Sequence, residues 1–300
     1  MSARIVGLIN TLNEARNIRY SLGSLLPWCD EVIVVDQDSE DGTADICRSM
    51  GARVVTYPRT GFVEAARAFG VKEASTQASA DWLLILDADE MVRPALGRYL
   101  REAVDGAAAE ADADVFLVPR ANVIFGRRMD HGKNWPSRRP RFFRPEAIEI
   151  SERIHRGLAP RSGAQVRLVP ARLPLAIWHF SYPDAETLVG KMNRYTSVEA
   201  RQTLERGKRP ARSRNLFGRP ARLFWAHYIR DRGYRDGTGG LILAISRAFS
   251  GFLLVAKMWE LPRTTEREAS VRRVREQLLA EHLRADGSAD HAPTGSADAT

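Results

Sequence analysis

The chain has 300 residues, 44% hydrophobic and 27% charged, an ordinary globular composition with enough apolar content for a core in one large domain or two small ones. Its two cysteines, Cys29 and Cys47, are not spaced as a metal knuckle, and so few thiols point to a reducing, cytoplasmic compartment. The formal net charge is +8, so an anionic partner is expected.

Met1 to Arg4 lead into an apolar stretch too short for a signal peptide, and no uninterrupted apolar run of about 18 residues predicts a spanning helix. The apolar run Ile5–Ile9 predicts the first strand. Glu14–Leu26 has helical spacing, with Ile18, Leu22, Leu25 and Leu26 on one face and Pro27 as its stop. A strand over Glu31–Asp36, a helix over Thr43–Met50 ended by Gly51, and a strand over Ala52–Tyr57 follow. Val63–Ser75 reads as helix, Trp82–Leu86 as strand, and Pro94 opens another helix. This alternation predicts a mostly parallel, Rossmann-like α/β sheet with flanking helices.

The middle third predicts strands over Asp114–Pro119 and Ala176–Tyr182, separated by a polar, Arg- and Pro-rich stretch from Arg120 to Arg144. An acceptor-binding half belongs here. From Ala185 the pattern turns helical. Amphipathic stretches cover Lys191–Leu204 and Leu216–Tyr228, and Gly239–Leu261 is apolar apart from Arg247 and Lys257. Arg267–Arg284 reads as a solvated helix, and Ala285–Thr300 as a disordered tail. These divisions predict a catalytic domain over residues 1–200, a basic helical region over 201–284 and a tail over 285–300.

Two acidic clusters follow buried strands: Asp36 to Thr43, and Asp87-Ala88-Asp89-Glu90. Carboxylates at such strand ends face the crevice where open α/β sheets bind ligands. An Asp-x-Asp step offers two hard oxygen ligands to a divalent cation beside a diphosphate. The alternative for the first cluster is an Asx-rich turn and helix cap.

Thr11-Leu12-Asn13-Glu14-Ala15-Arg16-Asn17-Ile18, then Asp36 with Ser39-x-Asp41-Gly42-Thr43, then Asp87-Ala88-Asp89-Glu90, resemble the family 2 glycosyltransferases. Asn122-x-x-Phe125-Gly126, Arg141-Phe142-Phe143, His179-Phe180-Ser181-Tyr182, Lys191-x-Asn193-Arg194-Tyr195 and Asp236-Gly237-x-x-Gly240 are similar to its lipopolysaccharide-core glucosyltransferase branch. The resemblance spans roughly residues 4 to 262. It implies a GT-A fold followed by a C-terminal helical region, a nucleotide-sugar donor, Mg²⁺ or Mn²⁺, and inversion at the anomeric carbon.

Under that resemblance Thr11, Asn13 and Glu14 line the nucleotide pocket and Asp36 contacts the base. Asp87 faces the ribose or metal, Asp89 is the main metal ligand, and Arg67 and Arg141 approach the donor. His179 is either a core histidine with satisfied nitrogens or a third metal ligand or diphosphate contact. The branch's Trp-x-Pro-Asp step and His-Glu pair are altered here to Trp135-Pro136-Ser137 and His155-Arg156. Both usual carboxylates are therefore missing, which leaves Glu152 and His155, then Asp130, as candidates for the catalytic base. An Arg at 156 could also clamp a diphosphate or an acidic acceptor.

Residues 201–235 hold eleven Lys or Arg against two acids, Glu205 and Asp231. With the apolar face of Gly239–Leu261 (Leu241, Ile242, Ile245, Phe249, Phe252, Leu253, Ala256 and Trp259) they predict an in-plane helix on an anionic membrane. Lys257 and Trp259 are expected near the interface. The alternative is that this face packs as ordinary core. Nucleic acid is disfavoured because no recognition-helix, zinc or RNA-module signature accompanies the basic run. The leading function is a metal-dependent inverting glycosyltransferase acting on a glycan or lipid-linked acceptor. A polyprenyl-phosphate sugar synthase and a donor-binding pseudoenzyme are the alternatives.

Overall fold

The computed structural model describes residues 2–59, 63–105, 112–150, 157–207 and 214–289. Strands β1 (Ile5–Thr11), β2 (Glu31–Asp36), β3 (Arg53–Thr56) and β4 (Trp82–Asp87) alternate with helices α1 (Ile18–Leu25), α2 (Thr43–Ser49) and α3 (Val63–Thr76). They pair in parallel in the order β3-β2-β1-β4. The side chains alternate as the strand period requires. Ile5, Ile9, Leu84 and Leu86 pack on the face covered by α1, whereas Val6, Leu8, Leu83 and Ile85 meet α3 on the other. Gly70 lets α3 approach closely: a Cβ there would stand 2.8 Å from Leu8 and Val35.

Beyond β4 the sheet is mixed. Short β5 (Glu90–Val92) precedes α4 (Pro94–Asp105), then come β6 (Val115–Ile124), β7 (Arg127–Met129) and β8 (Ser137–Phe143). The remaining strands are β9 (Ile148–Ile150), β10 (Leu158–Pro160), β11 (Val166–Leu168) and β12 (Ile177–Tyr182). β8 lies antiparallel between β4 and β6, β12 runs parallel to β6, and β5 closes the order antiparallel to β12. The sheet is therefore all-parallel in its first half and mixed in its second, where β11 and β12 still run parallel to β6. The expected polar stretch 120–144 instead holds the end of β6 and all of β7 and β8. Arg127 and Arg128 in β7 and Arg138, Arg139 and Arg141 in β8 break up the apolar pattern, so charge concealed the period.

Among the described residues four α-helices follow: α5 (Ala185–Glu205), α6 (Asn215–Phe224), α7 (Gly237–Glu260) and α8 (Thr264–Ala289), with a π-helical turn at Trp225–Arg230. Asp184 caps α5 by accepting a hydrogen bond from the Thr187 N–H at 2.7 Å. α5 runs through residue 200, where a domain boundary was expected. α8 is helical through Ala289, so no disordered tail begins at Ala285; residues 290–300 lie outside the described residues.

α7 is apolar on two sides. Leu243, Ala244, Leu254, Val255 and Met258 are buried, whereas Ile242, Ile245, Phe249, Phe252 and Trp259 are exposed. Gly251 abuts Leu223 and Arg219 of α6. Lys257, expected at a membrane interface, instead points at α5. Its Nζ donates to Asn193 O and Oδ1, both at 2.6 Å, and to Thr196 Oγ1 and Ser197 Oγ, both at 2.8 Å. The stretch Gly233–Arg284 contains one helix long and apolar enough to cross a membrane.

Candidate active site

The carboxyl ends of β1, β2 and β4 lie side by side, with Thr11 in register with Asp36 and Asn10 in register with Asp87. Two loops knit this edge together. Asn13, at φ +55°, donates its N–H to Ser39 Oγ and accepts the Glu40 N–H at Oδ1, both at 2.9 Å. Asp41 accepts the Ala15 N–H at 2.9 Å and, from the first residue of α2, the Thr43 N–H at 3.1 Å. Asp36 accepts the Ser39 N–H at Oδ2, 3.0 Å away. Its Oδ1, both side-chain polar atoms of Asn10, and Thr11 Oγ1 are buried with no protein partner. Buried polar atoms nearly always have a partner, so an unpartnered group at a crevice edge is suited to a ligand.

The second cluster is built on Glu90, whose side chain is fully buried. Its carboxylate accepts the Asp87 N–H at 3.0 Å, and lies 2.8 Å from Arg141 Nη2 and 3.4 Å from Arg120 Nη1. Asp87 meets Arg67 at 2.6 Å and Arg141 at 2.9 Å. Burial alone would raise its pKa, but Arg141 and then Arg67 outweigh it and hold the carboxyl well below the usual range. The Arg141 pKa moves upward: desolvation opposes its charge, and Asp87 and Glu90 more than offset that.

Asp89 turns the other way. Its Oδ1 lies 3.6 Å from His179 Nε2 and its Oδ2 3.4 Å from Lys191 Nζ. Burial opposes its ionisation, yet His179 and Lys191 bring its pKa below the ordinary value. β12 sets His179 beside Asn122 of β6. Asn122 donates from Nδ2 to Asn134 O at 3.2 Å, so its Oδ1 is the atom 2.9 Å from His179 Nδ1. Nδ1 must therefore carry a proton, and in the neutral ring the Nε2 lone pair faces the Asp89 carboxylate. Glu14 stands in the field of Asp89: burial first, then that charge, raises its pKa against the hydrogen bond from Asn17.

A model of the family described as glycosyl transferase family 2 matches residues 8–158, half of the chain. An uncharacterized glycosyltransferase of Rickettsia bellii is 30% identical over 87% of this chain and 88% of its own length. The chain belongs to glycosyl transferase family 2. It is a glycosyltransferase of GT-A type, and the lipopolysaccharide core biosynthesis glycosyltransferase LpsC of Rhizobium meliloti is 28% identical over 83% of this chain and 89% of its length. Among solved structures, S. aureus TarS aligns with a TM-score of 0.43 at 14% identity, covering 87% of this chain and 92% of that one. A Mycobacterium tuberculosis glucosyl-3-phosphoglycerate synthase, in complex with Mn²⁺, UDP and glucosyl-3-phosphoglycerate, aligns at 0.32 with 23% identity, covering 40% of this chain and 44% of that one.

The glycosyltransferase brings Thr11, Asn13, Glu14 and Asp36 to one edge, and Asp87, Asp89, Arg67, Arg141 and His179 to the next. Among the described residues no three His, Cys, Asp or Glu side chains converge as a metal cluster. The expected trio of Asp87, Asp89 and His179 is not assembled, because two guanidiniums hold Asp87. Arg141 is likewise bound to protein carboxylates rather than open to a donor. Asp89 and His179 do fit a divalent cation. A carboxylate and an imidazole lone pair facing one another repel unless a cation or proton lies between them, and the Asn122 hydrogen bond fixes the ligating tautomer.

Asp130, a weaker base candidate, is paired with Arg128 at 2.5 Å. Glu152 and His155 lie outside the described residues. Sequence reasoning gave no role to Glu90, Asn122 or Lys191. All three stood inside quoted motifs, and Glu90 carried a signal of its own as an acid directly after an Asp-x-Asp step.

Proposed function

We propose that this glycosyltransferase moves a sugar, with inversion, from a UDP-sugar to a glycan or lipid-linked acceptor of the cell envelope, using Mg²⁺ or Mn²⁺. The facing Asp89–His179 pair, with its tautomer set by Asn122, carries the reading. A divalent cation held there would supply charge stabilisation for the leaving diphosphate. Lys191, 3.4 Å from Asp89, would share that task. The free oxygen of Asp36 suits the N–H of a uracil ring, and Thr11, Asn13 and Glu14 border the same edge.

The acceptor hydroxyl oxygen bonds to the anomeric carbon as the carbon–oxygen bond to phosphate breaks. The electron pair leaves with the nucleoside diphosphate, and the hydroxyl proton passes to a base. We assign that base to Glu152 or His155. Losing a general base costs roughly 100- to 10,000-fold in turnover; near-full turnover in both Glu152→Gln and His155→Ala would place it elsewhere.

Calorimetric titration with UDP and Mn²⁺ tests the donor site. Asp89→Ala should weaken metal-dependent UDP binding by more than about 100-fold, since second-shell changes alone cost 10- to 100-fold. Wild-type affinity in that variant would sink the assignment.

We place the enzyme peripherally on the cytoplasmic membrane face. On α6 and the turn after it, Phe217 is 81% exposed, Trp225 54% and Ile229 47%, at i, i+8 and i+12. Exposed Arg214, Arg222 and Arg230 flank them. Only 28% of the most apolar window of the α7 segment is buried, unlike a core helix. A basic helix with exposed aromatics suits the interface of an anionic bilayer. Equal recovery in the supernatant with neutral and anionic liposomes at low salt would refute this placement.

A further inference from the structure

A cavity of about 630 Å³ opens beside Asp87, between the sheet and helices α5 and α7. Five arginines line it: Arg67 of α3, Arg120 of β6, Arg139 and Arg141 of β8, and Arg247 of α7. Three are compensated, since Asp87 pairs with Arg67 and Arg141, and Glu90 with Arg141 and Arg120. Arg139 and Arg247 have no carboxylate partner among the described residues. Burial, and then the repulsion of Arg120 and Arg141, lower the pKa of Arg139. The Nε atoms of Arg67 and Arg120 are buried without an acceptor. Two other acids line the wall: Glu199, 3.7 Å from Arg219, and Glu64 of α3, which forms no ion pair with Arg139 or Arg247 among the described residues.

Arg247 sharpens the case. In the sequence it interrupts an apolar helix, where it would be costly in lipid. In the fold it sits with Leu243, Ser246 and Ser250, at i, i+3, i+4 and i+7, on the side of α7 that lines the cavity. The exposed stripe of Ile242, Ile245, Phe249 and Phe252 lies on another side. α7 thus presents one cation, Arg247, to a cavity that four other arginines already line.

We propose that this cavity is the acceptor subsite and that it takes a sugar carrying an anionic group, a phosphate monoester or a carboxylate, against Arg139 and Arg247. The proposal rests on the glycosyltransferase reading above and adds the charge of the acceptor. Guanidinium binds both oxyanions through paired N–H donors, and these two arginines have donors to spare. Such an anion also relieves the repulsion among Arg120, Arg139 and Arg141. The donor diphosphate belongs at the Asp89, His179 and Lys191 edge, so the two anions occupy different ends of one crevice.

The test uses the full chain, saturated with UDP and Mn²⁺, and reads thermal shift and calorimetric binding of three probes: glucose 6-phosphate, glucuronate and methyl glucoside. The UDP–Mn²⁺ response by itself reports on the donor reading. With UDP bound, glucose 6-phosphate or glucuronate should still stabilise the protein and methyl glucoside should not; the stronger of the two identifies the anion. Arg139→Gln with Arg247→Gln should weaken that binding by at least about tenfold, the effect of losing a charged hydrogen bond, while UDP binding stays intact and certifies the fold. Loss of the sugar-anion response once UDP is bound would assign these arginines to the donor and overturn the proposal. An equal response to methyl glucoside, no response to either anion, or full retention in the double variant would overturn it as well.

Discussion

The two ends of the crevice differ in how their charge is matched. At the strand edge every named carboxylate has a protein partner: Asp41 binds backbone N–H groups, Asp87 binds Arg67 and Arg141, Glu90 binds the same Arg141 and Arg120, and Asp89 faces His179 and Lys191. Across the cavity, Arg139 and Arg247 have no carboxylate partner among the described residues. A matched cluster in a low-dielectric site keeps its shape without ligand, because each buried charge is already stabilised. An unmatched pair stays solvated and is completed by what binds. The contrast separates a preorganised end from one completed by its substrate.

The largest effect expected on this contrast comes from Glu90. Removing it leaves Arg141, with a side chain 7% exposed, and Arg120 short of a countercharge. Glu90→Ala should destabilise the fold by about 3–5 kcal/mol, the cost of breaking a buried ion pair from one side. Arg139→Ala, on the unmatched side, should change stability by less than about 0.5 kcal/mol. Urea denaturation of both variants decides it, and equal losses would erase the distinction. Acid sharpens the same point. Because the folded pKa of Asp87 lies well below its ordinary value of 3.8, its contribution is complete above that pH and is lost as pH falls toward the folded value. Asp87→Asn should therefore flatten the fall in stability below about pH 4.

A smaller effect is expected at Asn122, which touches no donor-edge carboxylate and acts through His179. Asn122→Ala frees the ring to take either tautomer and should weaken Mn²⁺ affinity by about 10- to 100-fold with little loss of stability. Titration at fixed UDP reads it, and an unchanged affinity would remove His179 from the metal site. Asn122→Asp, which keeps an acceptor at Nδ1, should restore most of the loss.

What was legible in the sequence follows from how each part is assembled. The β3-β2-β1-β4 half was readable because each strand is a contiguous apolar run whose alternate residues face two cores, and each acid cluster sits within a few residues of its strand. The charged middle was not. In β8, Arg138 and Arg139 interrupt the apolar signal, and their neighbours are strands from elsewhere in the chain. The same holds for the site. Asp87-Ala88-Asp89-Glu90 is one local motif, whereas the arginine-lined cavity joins residues 67, 120, 139, 141 and 247 and exists only after folding. Arg247 shows this best: alone it only marks a membrane span as costly, and its place in the cavity wall appears only in the fold.

The smallest effect separates the α5–α7 seam from the active site. The three N–H donors of Lys257 are shared among four oxygens of α5 within 2.8 Å and meet no carboxylate there, so the seam is held by a cation bound to neutral acceptors. Lys257→Met keeps the length and apolar stem of the side chain and removes only those bonds. It should cost about 1–3 kcal/mol, the range for hydrogen bonds to a charged group. UDP–Mn²⁺ binding should stay at the wild-type level, because the seam lies behind the cavity rather than at the strand edge. Burial moves the Lys257 pKa below its ordinary value of 10.5, against the pull of Glu260. The unfolded chain therefore holds this proton to higher pH than the folded one, so the amine favours folding more as pH rises between the two values. The deficit of Lys257→Met relative to wild type should widen over that interval. A constant deficit would mean that the ammonium is as well solvated by its four acceptors as by water, and the seam would then be as matched as the strand edge.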